Sequence, residues 1–148
     1  MLKRTVLAVV VLSAFTSPQS QAGVHEWGHP NAEWRMQRCR YQTVDKGKWT
    51  VREVDLTINC AVVHFPVSYS TAHYVADRES NHLWFARNAY SGACGIYQHL
   101  PRYWASRVSE FTKAHPHWDL GRSCYNARSN ILVAIRMAHR GGWGPWGM

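Results

Sequence analysis

The chain has 148 residues, with 17 Lys and Arg against 9 Asp and Glu, and it carries four Cys, eight Trp and nine His. That length suits one domain of ordinary size and leaves too little for two independent cores. Hydrophobic residues at 46% and charged residues at 18% exclude a disordered chain or a fibrous repeat, and what stands out is a net charge of +8 combined with eight Trp.

Residues 1–22 read as a secretory signal peptide. Lys3 and Arg4 precede an apolar run from Val6 to Phe15, and Ser20-Gln21-Ala22 supplies small residues for cleavage after Ala22. A membrane anchor is excluded by length, since a spanning helix needs about 20 apolar residues and this run has roughly half that. Cleavage leaves 126 residues, and loss of Lys3 and Arg4 takes the net charge to +6. With no second run of spanning length, the mature chain is expected to be soluble, without stable membrane insertion. Its location is then secreted, periplasmic or cell-wall associated.

Residues 23–148 read as a single domain. Gly23 to Trp49 has no clean period. Thr50-Val51-Arg52-Glu53 forms a capping box, and Val51, Val54, Ile58, Ala61, Val62 and Phe65 follow at helical spacing until Pro66. Ser70 is the expected cap of a second helix carrying Ala72, Val75, Ala76 and Glu79. Gly92 and Gly95 break the next stretch into turns, with a small β-hairpin between Asn88 and Gln98. Pro101 starts a third helix through Trp104 and Val108 to Phe111. Ile131, Ala134, Ile135 and Ala138 make a fourth helical stripe, stopped by Gly141-Gly142.

The four cysteines all lie in the exported part, and an even number there favours disulfides. A zinc site is the rival, but no Cys-x-x-Cys pair occurs. Of three possible pairings, Cys39–Cys60 with Cys94–Cys124 keeps each bridge within one half of the chain. His25-Glu26-Trp27-Gly28-His29 matches the zinc-protease pattern. Gly28 and the following Pro30 oppose the helix that chemistry needs, so the match is taken as chance. After cleavage, the new amine, two amides and His25 would have the donors of a square-planar Cu(II) chelate, which a Cu(II) absorption band lost in His25→Ala would test. The other histidines, among them His73, His82, His99 and His139, are scattered, and the default for each is a surface imidazole or a hydrogen-bonded core group. No metal and no cofactor is assigned.

Glu79 stands apart. It closes a helical pattern just before Trp84 and Phe85, and ring surface beside a carboxylic acid disfavours its ionised form. A carboxylic acid that keeps its proton can protonate a glycosidic oxygen. Around it, Glu79-Ser80, then Ser91-Gly92-Ala93-Cys94-Gly95-Ile96-Tyr97-Gln98, Pro101, Trp104, Asn130-Ile131, Ala134 and Gly142-Trp143 follow in order. This ordered set resembles the lytic transglycosylase (SLT) family, in particular its small secreted branch related to resuscitation-promoting factors. The family-like core covers about 70–146.

The resemblance implies an α+β, mostly helical, lysozyme-like fold with a small β-hairpin beside the cleft. It implies Glu79 as the catalytic acid, Gln98 as a residue lining the glycan subsites, and Tyr97 at a neighbouring cleft position. Ser91 and Asn88 join the substrate-binding candidates, and Trp143 is either a sugar-stacking face or a core Trp. Two departures stand out: Ala89 occupies a place often held by Ser, and His139-Arg140-Gly141-Gly142 replaces a Tyr-containing segment of larger relatives. Both bear on substrate detail.

The implied activity is cleavage of the MurNAc-β-1,4-GlcNAc bond of peptidoglycan, leaving 1,6-anhydroMurNAc ends. Asp77, two residues from Glu79, falls on the far side of the helix, while Asp119 stays open as a second carboxylate. The alternatives are a muramidase on the same scaffold, or a non-catalytic murein-binding or assembly module. Peptidoglycan glycan strands are the expected partner. Nucleic acid is not, given export and the lack of a clustered basic run.

Overall fold

A computed structural model describes residues 47–148, of which most are helical. The predicted signal segment, the His25–His29 stretch and Cys39 lie outside the described residues.

Helix α1 spans Val51–His64 and starts where the capping box places it. The Glu53 amide donates to Thr50 Oγ1 at 3.3 Å, and the Thr50 amide donates to Glu53 Oε2 at 2.9 Å, satisfying two N–H groups that the first turn leaves over. Its Val54, Ile58 and Ala61 face inward, and Phe65 closes it ahead of Pro66. Helix α2, Tyr69–Ser80, is capped by Ser68, not by the expected Ser70; the Thr71 amide donates to Ser68 Oγ at 3.3 Å. Ser70 falls inside the first turn, with its hydroxyl 3.0 Å from that of Ser68. The helix ends at Asn81 with φ 51° and ψ 39°, and His82 keeps the left-handed backbone with φ 60°.

Helix α3, Pro101–Ala114, begins with Pro at its first position, where the missing N–H costs nothing. Helix α4, Ala127–Gly141, is capped by the Asn126 side chain, which accepts from the Ser129 amide at 2.9 Å, and ends at Gly142. Every residue from Ala127 to Arg136 is buried, so α4 is the central helix and not an amphipathic surface one. Helix α1 packs on α2 and α4, and α3 packs on α4. Phe65 and Phe111 meet edge to face at 5.7 Å within the shared core. A 3-10 turn, Gly144–Trp146, follows α4, and Trp146 is buried.

Residues 86–100 run as turns with two isolated antiparallel bridges, Arg87 to Cys94 and Cys94 to His99. A disulfide joins Cys94 to Cys124, as the half-by-half pairing expects. Cys60 is also disulfide-bonded. Asn130 of α4 locks the same segment: its Oδ1 accepts from the Tyr97 amide at 2.8 Å, and its Nδ2 donates to Cys94 O at 3.0 Å and Cys124 O at 2.8 Å. Gly95 lies against this amide with φ +75°, and a Cβ there would collide with the Asn130 amide and the Cys124 carbonyl. Only glycine fits both the backbone angle and the space.

Candidate functional site

The end of α2, the turn segment, α3 and the C-terminal 3-10 turn enclose a cavity of about 210 Å³. Glu79 enters it from the last turn of α2. Tyr97, Gln98 and Leu100 come from the turn segment, Arg107 from α3, and Pro145 and Trp146 close the far side. Among the described residues, Glu79 is the one carboxylate lining it. About a quarter (24%) of the Glu79 side chain is exposed, which leaves it within reach of a ligand.

Arg78 defines the electrostatics of this acid. Its Nη2 donates to Glu79 Oε1 at 2.9 Å, and the same nitrogen donates to the Trp146 carbonyl. The hydrogen bond to Glu79 holds the guanidinium pKa above its usual value. The expected aromatic neighbours are elsewhere: Trp84 and Phe85 pair with each other edge to face at 5.5 Å and do not line the cavity. The aromatic residues that line it are Tyr97 and Trp146, both buried, and Trp146 lies 67 positions along the chain from Glu79.

The remaining sequence candidates separate into two groups. Gln98 lies in the cavity, held with φ 47°, an uncommon backbone for a residue with a Cβ. Its Nε2 donates to Gly95 O at 2.8 Å and to Ala86 O at 3.3 Å, so what it offers a ligand is its amide oxygen. Tyr97 reaches the cavity only from beneath. It is fully buried, its hydroxyl donates to Ala72 O at 3.0 Å, and burial pushes its phenol well above the usual range. Its ring packs in the core while the residue lines the cavity, and its hydroxyl is committed to the backbone.

Asn88 and Ser91 also have local work. Asn88 Oδ1 accepts from the Tyr90 and Ser91 amides at 2.9 and 3.0 Å, and Ser91 Oγ accepts from the Ala93 amide at 3.2 Å. These bonds shape an exposed turn, and neither residue lines the cavity. Trp143 stacks on Tyr97, with ring centroids 6.0 Å apart, and meets Trp146 at 5.2 Å. It supports the cavity wall without lining it. Asp77 does not line the cavity, and Asp119 lies in the loop before α4, where its carbonyl accepts from Arg128. Neither joins Glu79.

Beneath the cavity, His99 is buried and neutral. Arg107 Nη1 donates to its Nδ1 at 2.8 Å, and its Nε2 donates to Asn130 O at 3.1 Å. Burial, with the Arg107 charge adding to it, lowers the imidazole pKa to about 3. His99 thus fixes Arg107 to the floor of the site. Sequence reasoning missed Arg78, Arg107, Pro145 and Trp146. The Arg78 neighbour was visible beside Glu79, but the Trp146 contact needs the fold.

A larger cavity, about 320 Å³, lies between α3 and α4. Its carboxylate, Glu110, is exposed on a rim it shares with Arg107 and Arg136, and of the ordered motif residues it contains none. Size alone does not make it the better site, because the smaller cavity brings Glu79 and Gln98 together. No family model, curated protein or solved structure matches the chain. Among the described residues, no helix is long and apolar enough to cross a membrane.

Proposed function

We propose that the protein is an exported lytic transglycosylase that cuts the MurNAc-β-1,4-GlcNAc bond of peptidoglycan, on a lysozyme-like scaffold in which residues 86–100 form one wall of the cleft. The observation that carries this reading is a partly exposed carboxylate, Glu79, the one acid among the described residues of a cavity that Gln98 and Trp146 also line. The free amide oxygen of Gln98 suits the hydroxyl and N-acetyl donors of a sugar.

Glu79 donates its proton to the bridging oxygen as the bond from the muramic C1 to that oxygen breaks. The N-acetyl oxygen of the same sugar captures the cationic carbon. Glu79, now a carboxylate, takes the proton from the muramic 6-hydroxyl, which attacks C1 and displaces the acetyl oxygen. The product is the 1,6-anhydro ring. With one carboxylate in the cavity, this route needs no second acid, whereas retaining and inverting glycosidases place two within roughly 5–9.5 Å. Substrate assistance leaves either the 6-hydroxyl or water as the attacking group, and the family-like motif puts the 6-hydroxyl, and so the lyase, ahead of a muramidase. Arg78 donates to Glu79 Oε1 and orients the carboxyl group, leaving Oε2 to carry and deliver the proton. The net positive charge favours adsorption to an anionic wall.

Digestion of purified sacculi by wild type and Glu79→Gln, with muropeptides resolved by mass, tests this. Anhydro-muropeptides from wild type alone are expected. Reducing ends in their place turn the claim to a muramidase, and no release from several sacculus types turns it to a binding module. Equal release by Glu79→Gln removes Glu79 from the role of acid.

A further inference from the structure

On α2, the histidine at one turn and the histidine just past the helix end are brought against an aspartate of α1. Asp55 Oδ1 lies 3.6 Å from His73 Nδ1 and 3.5 Å from His82 Nε2, and the three ligand atoms all fall within 4.8 Å of one another. We propose that Asp55, His73 and His82 bind a divalent transition-metal ion of the zinc class, clamping α1 to the end of α2 that carries Glu79.

Hydrogen bonds between such atoms run about 2.7–3.2 Å, so neither contact is a good one. A tetrahedral zinc ion with bonds of about 2.0–2.1 Å holds its ligand atoms about 3.3 Å apart. Both measured separations sit within a few tenths of an ångström of that edge.

One of the three ligand atoms lacks a hydrogen bond. His82 Nε2 is buried and makes no hydrogen bond among the described residues. Burying an imidazole nitrogen unpaired is costly and calls for an explanation, and a bound cation supplies one. The left-handed backbone at Asn81 and His82 is what turns the chain back and sets this nitrogen beside α1.

His73 Nε2 lies 3.1 Å from Asn59 Oδ1, and His82 Nδ1 lies 3.8 Å from Asp77 Oδ1. Each imidazole therefore has an oxygen facing the nitrogen that points away from Asp55. At His73 the hydrogen bond to Asn59 places the proton on the outer nitrogen and leaves the inner lone pair for a metal, while at His82 the Asp77 carboxylate, too far for a hydrogen bond, biases the proton outward by its charge alone. Two imidazoles and one carboxylate suit zinc-like ions and not calcium or magnesium, which take oxygen ligands. All three residues are partly buried, so water can fill a fourth position. This site faces α1 and does not depend on the glycan reading of the Glu79 cavity.

The test is titration of the full chain with Zn²⁺ by calorimetry in metal-free buffer, with Co²⁺ as a spectroscopic probe. His25 and His29 offer other donors, so both titrations use a His25→Ala/His29→Ala background. One equivalent of Zn²⁺ at micromolar or tighter affinity is expected, with the intense visible bands of tetrahedral Co²⁺ and a rise in Tm. Asp55→Asn, which keeps the volume, and His82→Ala each weaken Zn²⁺ binding by at least about 100-fold and abolish the Co²⁺ bands. Circular dichroism confirms that these variants fold. No binding at millimolar Zn²⁺, or affinity unchanged in both folded variants, overturns the proposal.

Discussion

Asn130 and Glu79 are both polar residues of the ordered motif, and the structure treats them in opposite ways. The Asn130 amide is fully buried, and three backbone groups from two other segments occupy it. The Glu79 carboxylate is partly exposed on a cavity and is held through one oxygen by Arg78. A polar side chain saturated by backbone partners organises the chain, while one with spare acceptor sites facing a cavity is available for chemistry. The contrast separates architecture from reactivity inside a single run of motif residues.

Substitution should divide the two centres cleanly, with the largest effect at the acid. Glu79→Gln is expected to lower sacculus cleavage by at least ~1000-fold, about 4 kcal/mol of barrier, with stability to urea changed by less than about 1 kcal/mol. A variant that loses stability in proportion to activity would erase the distinction. Asn130→Ala is the mirror case. It strands the buried Tyr97 amide and Cys124 carbonyl, while Cys94 O keeps the His99 amide at 3.1 Å. Two orphaned groups and a small void cost about 3–4 kcal/mol in urea denaturation. Cleavage per folded molecule should fall far less than in Glu79→Gln.

A smaller effect comes from the histidine that joins the two centres. His99 touches Asn130 O on one side and Arg107, a cavity residue, on the other. Its folded pKa of about 3 lies below its unfolded value of 6.5. The unfolded chain therefore binds the extra proton first, and stability from this group is complete above pH 6.5 and lost as pH falls toward 3. Between pH 7 and pH 5 the loss is on the order of 2 kcal/mol. His73 and His115, both lowered mainly by burial, act in the same direction. Urea midpoints across that window should slope downward in wild type and flatten in His99→Gln. An equal slope in both would move the acid sensitivity to other groups.

Local signals in the sequence account for most of the fold. A capping box, a Pro at a first turn and paired glycines each act within four residues, and the helices begin and end close to them. Ser68 displaced Ser70 as a cap because several hydroxyl residues compete there, and only the true helix start decides among them. The Cys94–Cys124 bridge followed from simple proximity in the chain. The site was legible only in its motif residues. Tyr97 reads as a cleft residue by its neighbours and lines the cavity, while the commitment of its hydroxyl to Ala72, 25 positions away, is visible only in the fold. His73 and His82 look isolated until Asp55 is brought beside them from another helix.

Arg78 is the finest test of the contrast, because it touches the reactive centre without belonging to the saturated one. It bridges Glu79 to the carbonyl of Trp146 across 68 positions of sequence. Removing it takes away both the hydrogen bond that orients the carboxylate and a tie to the opposite wall of the cavity. Glu79 itself remains, so Arg78→Ala should reduce cleavage by roughly 5–10-fold, the cost of looser positioning and not of a lost acid. Arg78→Lys keeps the charge but replaces a planar fork with a single point donor. If bridging geometry matters, Lys recovers only part of the rate; if charge alone matters, it recovers nearly all. A fall as deep as that of Glu79→Gln would place Arg78 among the reacting groups and redraw the boundary between the two centres.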